Sequence, residues 1–160
     1  MRRTLPLPRL FAVWFNQRML ILAKIIHFLS FSAGIGGGAA AALIGIRAKG
    51  ATADAVPVLR GLQKTLGRIG FGAVVLLWLT GIYMVYAVKG GWAGLGTAFW
   101  LKIAAVIILT AASLTGQYFA LTAAKRDPAV MGPRMAKIGM TATSAAVAAL
   151  ILAVIAFAGP

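Results

Sequence analysis

The chain has no cysteine and no glutamate; its only acids are Asp54 and Asp127, and His27 is its only histidine. Without thiols there are no disulfides, no thiolate metal sites and no cysteine nucleophile. Two isolated aspartates likewise leave out paired-carboxylate acid/base chemistry, so the inventory for catalysis is thin. Negative charge is nearly missing: 16 Lys and Arg stand against two acids, for a net charge of +14. Such a balance in a soluble protein would point to nucleic acid. Here the cations sit at the ends of apolar runs, where Lys and Arg anchor helices and meet anionic lipid headgroups. With 61% hydrophobic and 11% charged residues over 160 positions, and a mean hydropathy of +0.94, the chain reads as a membrane protein.

Its organisation is that of four apolar spans in a single integral membrane domain. Residues 1–18 hold four arginines with Leu10, Phe11, Trp14 and Phe15, a mix suited to the headgroup region, and are read as an interfacial lead-in. The apolar run that follows is too long for the core of a secretory signal. Spans are expected at about 19–46, 68–88, 98–124 and 135–158. Asp54 and Pro57 look like an N-cap and first turn, which starts the second helix outside the membrane. The glycine-rich stretch 89–96 and the charged, Pro- and Gly-containing stretch 125–134 are read as turns. Short connections make the expected fold an all-α, up-down-up-down four-helix transmembrane bundle. Nine cations fall on the side of the first and third connections: Arg47, Lys49, Arg60, Lys64, Arg68, Lys125, Arg126, Arg134 and Lys137. The positive-inside rule then places both termini on the external, periplasmic face of a bacterial plasma (inner) membrane, against the resistance of an arginine-rich N-tail.

One stripe of the first span stands out. Leu20, Lys24, His27, Phe31, Gly34, Gly38, Ala41 and Gly45 recur in steps of three and four, so they share one helix face. Its first half carries ionisable groups. Its second half is a small-residue ridge through which another helix, of this chain, of a second copy or of another membrane protein, can approach closely. Counting depth from the outer ends puts Lys24 and His27 near the level of Tyr83 and Lys102, with Thr80, Tyr86 and Trp100 nearby. A polar ring built from three helices is one reading. Snorkelling lysines, an aromatic interface belt and a hydrogen-bonded neutral imidazole together form the other. An ionisable residue this deep is by default a functional site. Met131, Met135 and Met140 are the soft donors a copper site would use, though their spacing sets them on the side opposite His27.

Lys24-Ile-Ile-His27 with its glycine-rich continuation, Leu79-Thr80-Gly81 and Trp100-Leu101-Lys102 together resemble the copper-resistance protein D superfamily over roughly residues 20–125. That layout is similar to the membrane protoporphyrinogen oxidase family HemJ, whose Lys-x-x-His element is associated with haem b. The resemblance implies a haem b or, alternatively, a copper function, with His27 as axial ligand and Lys24 as partner of a propionate or substrate carboxylate. Tyr83 and Lys102 complete the expected cofactor site. One chain offers one imidazole, so a second axial ligand is expected from Met84, from Tyr83, or from His27 of a second copy in a homodimer. A non-catalytic subunit that docks another membrane protein through the ridge is the remaining expectation.

Overall fold

The computed structural model describes residues 7–122 and 128–157, and side-chain surroundings from 15 to 122 and from 130 to 156. The described residues form four helices: α1 Leu7–Ala48, α2 Ala55–Lys89, α3 Thr97–Thr122 and α4 Pro128–Phe157. Each is long and apolar enough to cross a membrane. At roughly 1.5 Å per residue, even α3 with its 26 residues spans about 39 Å, more than the ~30 Å hydrocarbon layer. The protein is a multi-pass integral membrane protein.

Pairings along the helices establish the topology. Moving up α1 from His27 to Ala41 goes with moving down α2 from Thr80 to Gln63, so the two are antiparallel. Trp78 with Thr110, and Gly67 with Gln117, do the same for α2 and α3. α1 packs chiefly on α2 and α3 chiefly on α4, and α1 also touches α4, which closes an up-down-up-down bundle. One core joins all four helices: Val74, Leu109, Ala145 and Ala146, with Ile35, Trp78 and Ala142 packed against it.

What lies inside is small and what lies outside is large. Among the described residues seven of the thirteen buried apolar side chains are alanine, while Phe28, Leu29, Leu79, Leu121 and Val154 project outward. Lipid is as apolar as leucine, so nothing drives large side chains inward; close van der Waals packing of small residues holds such helices together instead.

Several boundaries differ from the expected ones. α1 begins at Leu7, so most of the anticipated lead-in is continuous helix with Pro8 in its first turn. The cluster of Leu10, Phe11 and Trp14 lies outside the described side chains, and Phe15 is exposed. α4 begins at Pro128 rather than near Met135. Pro128 fits the first helical position, and Pro133, close behind it, forfeits only one hydrogen bond at an exposed end. Asp54 makes no side-chain cap; the first N–H groups of α2, those of Ala55 and Val56, donate to the Thr52 carbonyl instead. The turn after α2 is as its glycines require. Gly90, Gly91 and Gly94 all have positive φ, and the Gly90 N–H closes the helix on the Tyr86 carbonyl at 3.2 Å.

Candidate functional site

His27 faces α2. Its Nδ1 lies 2.7 Å from the Thr80 hydroxyl, and that hydroxyl lies 2.6 Å from the Leu76 carbonyl oxygen one turn back. A hydroxyl has one proton to give, and a carbonyl can only accept. The Thr80 O–H therefore donates to Leu76, and the ring donates its Nδ1–H to Thr80. This fixes the tautomer: Nε2 carries the lone pair. The ring packs over Gly81, where a Cβ would sit 3.6 Å from His27 Cε1, an ordinary van der Waals contact. His27 is half-buried and Thr80 is buried.

Lys102, near the start of α3, is half-buried. Its ammonium stands 5.6 Å from the centre of the Phe99 ring, a cation–π distance. Tyr83, one turn beyond Thr80 on α2, is half-buried, whereas Lys24 is exposed on α1. Of the expected constellation, then, His27 is held by Thr80, Tyr83 and Lys102 are half-buried on α2 and α3, and Lys24 is exposed. Beyond them the Trp92 indole N–H donates to the Tyr86 hydroxyl at 3.1 Å, and its ring packs against Phe99 and Trp100. These rings cap the site end of the bundle as an interface belt.

The small-residue ridge is used within the chain. A Cβ on Gly38 would meet Thr143 Oγ1 of α4 at 3.1 Å, and one on Gly45 would meet the Gln63 amide of α2 at 2.8 Å. That amide donates to the Ala41 carbonyl at 2.8 Å. Gly38, Ala41 and Gly45 thus each have a neighbour on α2 or α4 within the chain, whereas a Cβ on Gly34 would meet nothing within 4 Å. The methionines do not gather with the histidine. Met140 is exposed and Met131 buried on the far half of α4, about 20 Å and about 35 Å along the axis from the His27 level.

One signal escaped the sequence reading. Leu-Thr-Gly-x-Tyr occurs twice, as Leu79–Tyr83 in α2 and as 114–118 in α3. Each glycine receives a side chain from the neighbouring outer helix: His27 on Gly81, and Ile138 Cγ2 on Gly116, both at 3.6 Å from the notional Cβ. The second copy shows that the close packing is satisfied by isoleucine. Thr115 in the second copy is exposed and bonds only back to the Ala111 carbonyl, while Thr80 is buried and holds the ring. No protein-family model, curated protein or solved structure matches the chain.

Proposed function

We propose that this integral membrane protein lies in a bacterial plasma membrane and holds haem b at the His27 end of its bundle, as a redox or protoporphyrinogen-oxidase-like protein. The observation that carries this reading is the 2.7 Å contact of His27 Nδ1 with a Thr80 hydroxyl that itself lies 2.6 Å from the Leu76 carbonyl, a geometry in which the ring gives its Nδ1–H to Thr80. Metal-ligating histidines almost always give their other ring N–H to a fixed acceptor, which orients the ring and raises the basicity of the ligating nitrogen. Thr80, itself held by the Leu76 carbonyl, is such an acceptor, and it leaves Nε2 as the ligating atom. His27 is the residue that would hold the haem iron, with Tyr83 or Met84 on α2, or His27 of a second copy, as a further ligand, and Lys102 and exposed Lys24 as the cations that would meet its propionates. Haem b bound there would supply one-electron chemistry. The likeness of Lys24-x-x-His27, Leu79-Thr80-Gly81 and Trp100-Leu101-Lys102 to the copper-resistance D and HemJ layouts points the same way.

Absorption spectroscopy of protein purified in mild detergent, before and after titration with haemin, tests the reading. A Soret band that is lost in His27→Ala and weakened in Lys102→Gln is expected. Protein that is haem-free, takes up none on titration and behaves identically in His27→Ala would overturn it.

A further inference from the structure

A second feature lies on the outward face of the α1–α2 hairpin, about one turn along it from the His27–Thr80 contact, and does not depend on the haem reading. Steps of four along α2 carry one row of residues: Arg60, Lys64, Arg68, Gly72 and Leu76. The first three are exposed cations, and the last two line an open groove of about 600 Å³ between α1 and α2. Like charges at such spacing repel one another along a helix and call for a neutralising partner. Asp54 is the only acid among the described residues, and it is not in this row.

The groove has the shape of a trough. Its floor is made of small side chains, with Ser30 and Ala73 each 5% exposed and Ala33 and Gly72 beside them. Its walls are large, with Leu29 64% and Leu76 44% exposed. Depth supplies the remaining clue. From Arg68 to Lys89 α2 rises about 31 Å, the thickness of the hydrocarbon layer, so Arg68 marks one boundary and the trough lies just inside it. Arg68 thus stands one turn from Gly72 at the headgroup end of the apolar trough, with Lys64 a turn further out on a ridge that winds about 40° per step.

We propose that this surface is a binding site for an anionic phospholipid, its phosphate held by Lys64 and Arg68 and one acyl chain lying over Gly72 and Ala73. Charge complementarity selects an anionic headgroup over a zwitterionic one, and the continuity of the cation row with the trough selects a lipid over a soluble anion.

The test titrates delipidated full-length protein in detergent with phosphatidylglycerol or with phosphatidylcholine of identical chains. It reads lipid retention by native mass spectrometry and the thermal midpoint. Phosphatidylglycerol should be retained preferentially, and the preference should fall about fivefold for each of Lys64 and Arg68 changed to alanine. Gly72→Leu fills the trough, and because a Cβ at Gly72 meets nothing within 4 Å the variant has room to fold. It should lose retention of both lipids while keeping the parent's midpoint in detergent alone. Equal retention of the two lipids by the unmutated protein would overturn the headgroup assignment. Undiminished phosphatidylglycerol retention in Gly72→Leu would overturn the acyl-chain assignment.

Discussion

At the scale of single residues the pair His27 and Thr80 carries the most information. Thr80→Val keeps the shape of the side chain but removes the acceptor, so the Nδ1–H of a half-buried ring is left without its partner. An unmade hydrogen bond of this kind costs about 0.5–2 kcal/mol in membrane and buried settings. The thermal midpoint in detergent should fall accordingly in Thr80→Val and recover in Thr80→Ser, which restores the hydroxyl. With haemin added, the two variants should also separate spectrally, because the ring in Thr80→Val is no longer fixed in orientation. Equal midpoints for all three proteins would show that the contact contributes nothing. His27 stood out in the sequence because an ionisable residue in an apolar run is rare. Thr80 could be placed near it in depth, but its role as the ring's acceptor could not be read. A threonine in a helix ordinarily bonds back to its own turn, as Thr110 and Thr115 also do. The helix rotation that turns Thr80 toward α1 is a tertiary fact, and only the repeated Leu-Thr-Gly-x-Tyr hinted at it.

Between helices, the glycines of α1 divide into those that a neighbour approaches and those that it does not. Gly38 stands against Thr143, so Gly38→Leu overpacks the α1–α4 contact and should cost about 1–3 kcal/mol. Part of that loss should return in Gly38→Leu with Thr143→Gly, since removing the opposing side chain relieves the same contact. Gly36 has nothing within 4 Å, and Gly36→Ala should be neutral or stabilise the helix by up to about 1 kcal/mol. Chemical or thermal unfolding of the four proteins in one detergent checks both signs. If Gly36→Ala and Gly38→Leu cost the same, the assignment of the α1 faces is wrong. The stripe itself was legible from spacing alone: Leu20, His27, Phe31, Gly34, Gly38, Ala41 and Gly45 all lie partly buried, and Lys24 alone is exposed. What spacing could not reveal was the partner. A close approach by α4, by α2 or by another molecule leaves the same small residues in the sequence. Helix ends were legible where glycine forces a left-handed turn, as at Gly90. They were misjudged where proline begins a helix instead of ending one, as at Pro128.

For the molecule as a whole, the question is which way the bundle faces. α1 begins and α4 ends at the His27 end, and the other end joins α1 to α2. At that second end Arg47, Lys49, Arg60, Lys64, Arg68, Arg134 and Lys137 are all exposed, none of them in the packed core. The His27 end offers Arg18, Lys24 and Lys89 as exposed cations, with Lys102 drawn partly into the bundle, and the sequence adds Arg2, Arg3 and Arg9 ahead of it. Cations near span ends hold a loop in the cytoplasm, and the two connecting loops carry more of them than the termini. The difference is modest, because arginines in a short N-terminal tail also resist translocation. We propose on that count that the end of the bundle nearer His27 faces outward, which would put the Arg60, Lys64 and Arg68 cations in the cytoplasmic leaflet, where anionic lipid is concentrated. A reporter that is active only outside the cell membrane should therefore work when fused after Pro160 and fail when inserted near Thr52. Changing Arg2, Arg3 and Arg9 to glutamine should sharpen that pattern, since it removes the opposing signal. Activity at Thr52 with none after Pro160 would reverse the orientation and put His27 on the cytoplasmic side, where a haem site would face the reductants of the cell interior.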